Sequence, residues 1–182
     1  MPSLFQKNYG LDLKKSSLLY ATMLLSGMIG ELLGGVGTDY LLGRTKSVQI
    51  ARSLQIAVVW SLAVIALVPA ILVHDLTVGL AGFTLTLFFM GMAGAPLWAA
   101  AIDIAPNYAG SSTALMNGAG AIAGIMSPVA FGWILTRIGS WTTPFAFSVA
   151  LLLFAIVMTN WIRPDHPIAA VPHIGGLAVA GE

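Results

Sequence analysis

The sequence predicts an all-α polytopic membrane protein, a bundle of five transmembrane helices. Mean hydropathy is +0.90 and hydrophobic residues make up 58% of the 182 residues. Charged residues make up 8%, where an ordinary soluble domain has about 25%. So few charges cannot cover a water-facing surface, so lipid is the solvent for most of the chain. The uncharged runs 53–73, 76–102, 104–136 and 138–162 are 21, 27, 33 and 25 residues long. Each suffices for a membrane helix, which needs roughly 20 apolar residues. Barrel strands of about 9–11 residues with alternating polarity would look quite different.

The elements follow in order. The opening "MPSLFQKNYGLDLKK" has neither an apolar core of signal-peptide length nor a small-residue cleavage site, so nothing in it looks removable. The first helix is expected over about 16–41, interrupted by Glu31 and closing beyond Asp39. Helices follow at about 53–73 and 77–102, joined by "HDL" at 74–76, which has room only for a tight hairpin. In "DIAPNYAG", Pro106 stops one helix and Ser111 or Ser112 can cap the next, expected over 108–136. "RIGSWTTP" is another turn, with Pro144 in the first turn of a helix over 142–162. Residues 1–168 thus read as one helix bundle and 169–182, rich in Pro and Gly, as a disordered tail.

Much chemistry is excluded. A net charge of +1 offers no field for nucleic acid. With no cysteine there are no disulfides, thiolate metal sites or cysteine nucleophiles. His74, His166 and His173 have no ligand spacing, so no metal site is expected. No Walker loop is present, and the serines lack a partner histidine within the membrane. Neither an enzyme nor a cofactor is expected.

Polar residues inside the spans carry what remains. Glu31 is the one ionisable group deep in a span, with Gly27, Gly34 and Gly35 as helical neighbours that would turn it toward protein. It reads either as a proton- or substrate-coupling carboxylate or as an acid packed and hydrogen-bonded between helices. Asn117 lies on a face with Thr113, Gly120, Ala121 and Gly124, suited to close packing or to a water-filled cavity. Trp98 is too deep for the interfacial belt, and Pro96 two residues before it can loosen its helix. Both could line a ligand cavity or simply pack. The spacings Gly30/Gly34 and Gly120/Gly124 suggest tight helix contacts. Trp141, Trp161 and Tyr108 fit the aromatic belts.

Lys and Arg should set orientation, but five spans place Lys7, Lys14, Lys15 and Arg137 on one side and Arg44, Lys46, Arg52 and Arg163 on the other. The dense 44–52 cluster favours a cytoplasmic loop there. Gly35-x-x-x-Asp39 followed by Gly43-Arg44-x-Lys46 resembles the loop motif G-x-x-x-D-R-x-G-R-R of the major facilitator superfamily. Tyr40 replaces the first Arg of the motif, and one extra residue separates Asp39 from Gly43. "PLWAAAIDIAPNYAGSSTALMNGAGAIAGIMSPVAFGWI" and "GSWTTPFAFSVALLLFAIVMTNWIRPDHP" are similar to the last part of the anion:cation symporter family, as is the opening stretch through Leu19.

That resemblance covers almost all of 1–168. It implies a partial major facilitator fold, helices eight to twelve of twelve, in the inner (plasma) membrane. It implies a secondary transporter working by alternating access on an organic anion, such as a sugar acid or aromatic carboxylate, coupled to a proton or sodium. An N-terminal half would be the partner of this bundle. In the loop motif of Gly35, Asp39, Gly43 and Arg44, the acid Asp39 would help latch the two halves in one conformation, or Arg44, Lys46 and Arg52 would merely fix topology. In sugar-acid carriers of the family an aromatic of the tenth helix and an Asn of the eleventh line the substrate cavity, where Trp98 and Asn117 align. The alternative is a non-transporting truncated protein, or a bundle that assembles with a partner subunit.

Overall fold

A computed structural model describes residues 6, 10, 12–73, 75–140 and 142–168. The expected tail 169–182, Lys7, His74, Trp141 and His173 lie outside them. The five spans are α1 (Leu13–Thr45), α2 (Ile50–Leu72), α3 (Leu76–Ile104), α4 (Pro106–Ile138) and α5 (Thr142–Thr159). All are long and apolar enough to cross a bilayer.

The largest departure from expectation is the end of α1. At 33 residues this helix is about 50 Å long, well beyond a hydrocarbon core of about 30 Å. Leu41, Leu42 and Arg44 are good helix formers, so the helix runs through the expected loop and stops at Lys46. That residue is left-handed (φ 52°), and its N–H closes the end on Leu42 O at 2.8 Å. Asp39, Gly43 and Arg44 are therefore helical. Chain reversal is left to the few residues between Lys46 and Ile50. Tyr40, standing where the motif has Arg, lies under Arg44, whose guanidinium carbon is 5.4 Å from the ring centroid. This cation–π pair stabilises the exposed helix end.

α2 opens with a π turn, Ile50–Leu54. It runs to Val73, and Asp75 caps α3, its carboxylate accepting from the N–H groups of Thr77 (2.9 Å) and Val78 (3.0 Å). α3 breaks at Ala93, between Met92 and Gly94. Pro96 causes the break: it cannot donate to the Met92 carbonyl, and its ring crowds that group. Pro106–Tyr108 form a 3-10 turn that leads into α4 at Ala109. The expected serine cap is not used; Ser112 instead donates to the Ala101 carbonyl of α3 at 2.8 Å. α4 ends at Gly139 (φ 70°), whose N–H reaches Leu135 O at 2.9 Å.

Packing centres on α1, α2 and α3. Gly30 and Gly34 of α1 lie directly against the carbonyl oxygens of Phe88 and Met92, and Gly91 of α3 against that of Gly27. A Cβ at any of the three would overlap backbone, so only glycine permits this approach. Ser26 donates across the same seam to Thr84 O at 3.0 Å. Gly82 plays the equivalent part against α2, where a Cβ would stand 2.7 Å from Ala66 O. Met23, Leu67, Ala70, Phe83 and Phe145 form the core toward the α2–α3 hairpin, where α5 joins.

α4 is different, because none of its residues is buried. It is held near one end by Ser112 and near the other by Phe131, whose ring lies 5.3 Å from that of Phe145. Between these ties, Gly118, Gly120 and Gly124 have nothing within 4 Å of where a side chain would begin.

Candidate functional site

Two groups of polar residues stand out, one in the depth of the spans and one at the basic end. The first comprises Glu31, Trp98 and Asn117. Glu31 is exposed, yet its carboxylate lies over Gly94, so close that a Cβ there would be 3.0 Å from Oε1. Gly94 directly follows the break in α3, and Trp98 is one helical turn beyond it on the same face. Trp98 is 40% exposed. Asn117 follows Ser112, which is level with Ala101. At 1.5 Å per residue, Asn117 is about 7.5 Å further up α4 and Trp98 about 4.5 Å further up α3. The amide and the indole thus occupy similar depths on adjacent antiparallel helices, with Glu31 about one turn higher. None of the three is buried in the bundle. Glu31, expected to turn toward protein, has Gly94 of α3 against its carboxylate, and the rest of its side chain is exposed.

The second group centres on a buried side chain. Arg52, in the π turn of α2, is 8% exposed. Its Nε donates to Asp103 Oδ2 of α3 at 2.9 Å, and its Nη1 donates to Thr38 Oγ1 of α1 at 2.7 Å. Thr38 in turn donates to Ala51 O at 2.5 Å. Asp39 is a weaker partner, 3.9 Å from Nη1 with its side chain 82% exposed. One guanidinium therefore joins three spans through charge-assisted hydrogen bonds, stronger than neutral ones. Gln55, a turn above, donates from Nε2 to Gly34 O at 3.0 Å.

Sequence reasoning singled out Asp39 and Arg44 here and missed Asp103, Thr38 and Gln55. A usable signal for Asp103 was present. It closes the uncharged run 76–102 at the membrane end where Arg52 precedes the run 53–73, and opposite charges at one end of neighbouring spans are natural partners. Gly35 packs at an ordinary distance on Ala95 (3.5 Å), whereas Gly43 has nothing within 4 Å.

No metal-holding group of three or more His, Cys, Asp or Glu occurs among the described residues. What the arrangement offers instead is an aromatic wall, an amide and a carboxylate at membrane depth, beside a helix with a broken backbone.

Comparison with known proteins bears on the chain's kinship. No family model and no solved structure matches the chain. It is 34% identical over 164 residues to a probable sulfoacetate transporter of Cupriavidus necator, covering 90% of this chain and 38% of that protein. A probable galactarate/D-glucarate transporter of Escherichia coli is 30% identical over 149 residues, 81% of this chain and 33% of that protein. An uncharacterized Escherichia coli protein, YjhE, is 47% identical over 73 residues, 40% of this chain and 89% of that protein. The chain thus spans about two fifths or less of the length of the transporters it matches. The relatives other than YjhE are named as transporters of organic anions, not as enzymes. Similarity running through nearly the whole bundle, together with five membrane-length helices, settles the kinship: the chain belongs to the major facilitator superfamily, in its anion:cation symporter family.

Proposed function

We propose that this bundle is the C-terminal part of a secondary transporter that moves a small organic anion across the inner (plasma) membrane by alternating access, coupled to a proton or sodium. Sulfoacetate and glucarate, named for the relatives, each carry two acidic groups on a short carbon skeleton. That chemistry suits a cavity with an amide donor and an aromatic wall. The observation that carries the reading is the exposure of Glu31, Trp98 and Asn117 at membrane depth. An acid facing hydrocarbon costs roughly 2.5–3.5 kcal/mol, so an uncovered polar strip belongs against a cavity and a second bundle. Substrate then binds between the two bundles, and rocking of one against the other opens it to each side in turn.

In this reading Asn117 donates to a substrate carboxylate or hydroxyl, Trp98 walls the pocket, and Glu31 is the candidate coupling acid. Gly35, Asp39, Gly43 and Arg44 lie at the cytoplasmic end and meet the other bundle when the cavity faces outward. The test is uptake of labelled organic anions by a complete reading frame that contains this chain. Asn117→Ala should weaken binding by about 1–3 kcal/mol, and Trp98→Ala should lower affinity as well. Wild-type affinity and rate in both variants, at equal expression, would reduce the two residues to packing.

A further inference from the structure

Gly94 differs from the other glycines of the α1–α3 contact. Where a Cβ is built on Gly30, Gly34 or Gly91, the nearest atoms are backbone of the facing helix. At Gly94 the three nearest atoms all belong to one side chain: Glu31 Oε1 at 3.0 Å, Cδ at 3.3 Å and Cγ at 3.4 Å. The carboxyl end of Glu31 therefore occupies the place a residue-94 side chain would take. Backbone conformation does not require a glycine there, since the positive-φ glycines among the described residues are Gly10 and Gly139. Helix propensity argues against one, because glycine is a poorer helix former than alanine. What the missing Cβ accommodates is the acid of α1.

The backbone of Glu31 is fixed independently. A Cβ at Gly91 would stand 3.2 Å from the Glu31 nitrogen, and the seam on either side sets the register of α1 against α3. The side chain, by contrast, is exposed and has other rotamers open to it. Its berth is the opening residue of the half-helix Gly94–Ile104, whose first bond runs from Leu97 N–H to Ala93 O at 3.0 Å. The start of a helix is the positive end of its dipole, a favourable place for a carboxylate. Trp98 follows one turn later. Two glycines three residues apart thus hold one acid, Gly91 by its backbone and Gly94 by its carboxyl group.

We propose that Gly94 is a positioning residue for Glu31, holding its carboxylate on the break of α3 where coupling to transport needs it. This rests on the reading of Glu31 as the coupling acid. The first measurement takes the purified 182-residue chain in detergent with N,N′-dicyclohexylcarbodiimide, the Glu31 adduct being read by peptide mass spectrometry. Glu31 should label several-fold faster in Gly94→Ala than in the wild type, and faster again in Gly94→Val, because the carboxyl group is turned off the helix into the open. Gly94→Ala displaces only the end of a flexible side chain, so it should fold whether or not Gly94→Val does. Equal labelling of the wild type and Gly94→Ala would overturn the positioning. The second measurement takes a complete reading frame containing this chain, with labelled glucarate and sulfoacetate under a proton or a sodium gradient. Gly94→Ala should lose most gradient-driven accumulation yet keep exchange of labelled for unlabelled anion, as Glu31→Gln should. Adding Glu31→Asp, one methylene shorter, removes the overlap and should restore accumulation to Gly94→Ala. Loss of exchange and accumulation alike, without that rescue, would reduce Gly94 to a packing residue and overturn the proposal. Undiminished accumulation in Glu31→Gln would instead sink the coupling reading, while faster labelling in Gly94→Ala would still uphold the positioning.

Discussion

Arg52 shows how much one side chain can decide in a protein with so few charges. Its guanidinium reaches Asp103 and Thr38 from a nearly buried position. Removing Arg52 deprives Asp103, whose side chain is 32% exposed, and Thr38 of their charged donor, at a cost of roughly 1.5–3 kcal/mol. Arg52→Ala should therefore lower the chain's stability in detergent markedly, whereas Asp39→Asn, on the exposed and longer contact, should change it by less than about 1 kcal/mol. Thermal or denaturant unfolding followed by circular dichroism separates the two. The residue scale is also where the sequence was hardest to read. Arg52 was visible as part of a basic cluster, but its real partner is 51 residues away, and only the pairing of α2 with α3 brings Asp103 to it. Tyr40 looked like a lost arginine and proves to support Arg44.

At the scale of the element, the glycines divide into those that are filled against and those that are not. Gly30 and Gly34 meet the backbone of α3, whereas Gly120 and Gly124 meet nothing. Both pairs have the same four-residue spacing, and the sequence offered no means of telling them apart, because spacing specifies a smooth face and not what covers it. The consequence is measurable. Gly30→Leu should open the α1–α3 seam and cost about 3 kcal/mol or more. Gly120→Ala should be harmless to this chain, or stabilise it by about 0.5–1 kcal/mol through helix propensity. If Gly120→Ala nonetheless impairs a complete transporter, its face packs closely on something beyond these five helices. Helix existence and order were legible from the uncharged runs, since length and charge alone specify a span. Ends were less so. α1 outran its expected limit because no strong helix breaker follows Asp39 before Lys46. The 3-10 turn at Pro106 displaced the expected serine cap because Ser112 found a better acceptor on α3.

For the whole molecule, the hairpin order brings Arg44, Lys46, Arg52 and Arg163 to one end and Lys14, Lys15 and Arg137 to the other. If the first end is cytoplasmic, a cysteine placed at Ser47 should resist an impermeant thiol reagent applied to intact cells and react after lysis. The chain has no cysteine of its own to confuse the result. The 182 residues alone should insert, since every span satisfies its own backbone. They should not transport, because one bundle cannot alternately close a cavity from both sides. Liposomes holding the purified chain, given a proton gradient and a panel of labelled sugar acids and aromatic acids, check this. Saturable, gradient-dependent uptake would mean that copies of the chain supply each other's missing wall. What no sequence pattern disclosed is that α4 is tied near its ends and open along its middle, because tertiary contact, not composition, determines which apolar face is left without a neighbour.

The break at Ala93 has a mechanical consequence. On its N-terminal side, α3 is locked to α1 by a backbone-to-backbone seam; on its C-terminal side, a short rod of eleven residues carries Trp98 and, next to its end, Asp103. Pro96 removes one of the hydrogen bonds at the junction, although Leu97 N–H still reaches Ala93 O at 3.0 Å, so this rod should pivot more readily than an unbroken helix while the seam stays intact. The Arg52–Asp103 pair then acts as a detent at its far end, beside the bonds from Ser112 to Ala101 O and from Ile168 N–H to Ile104 O. Releasing that detent with Asp103→Asn should raise amide exchange across 94–104 while leaving 82–90 as slow as before. Motion in this half of the fold would then come from swinging one half-helix, not from unzipping two whole ones.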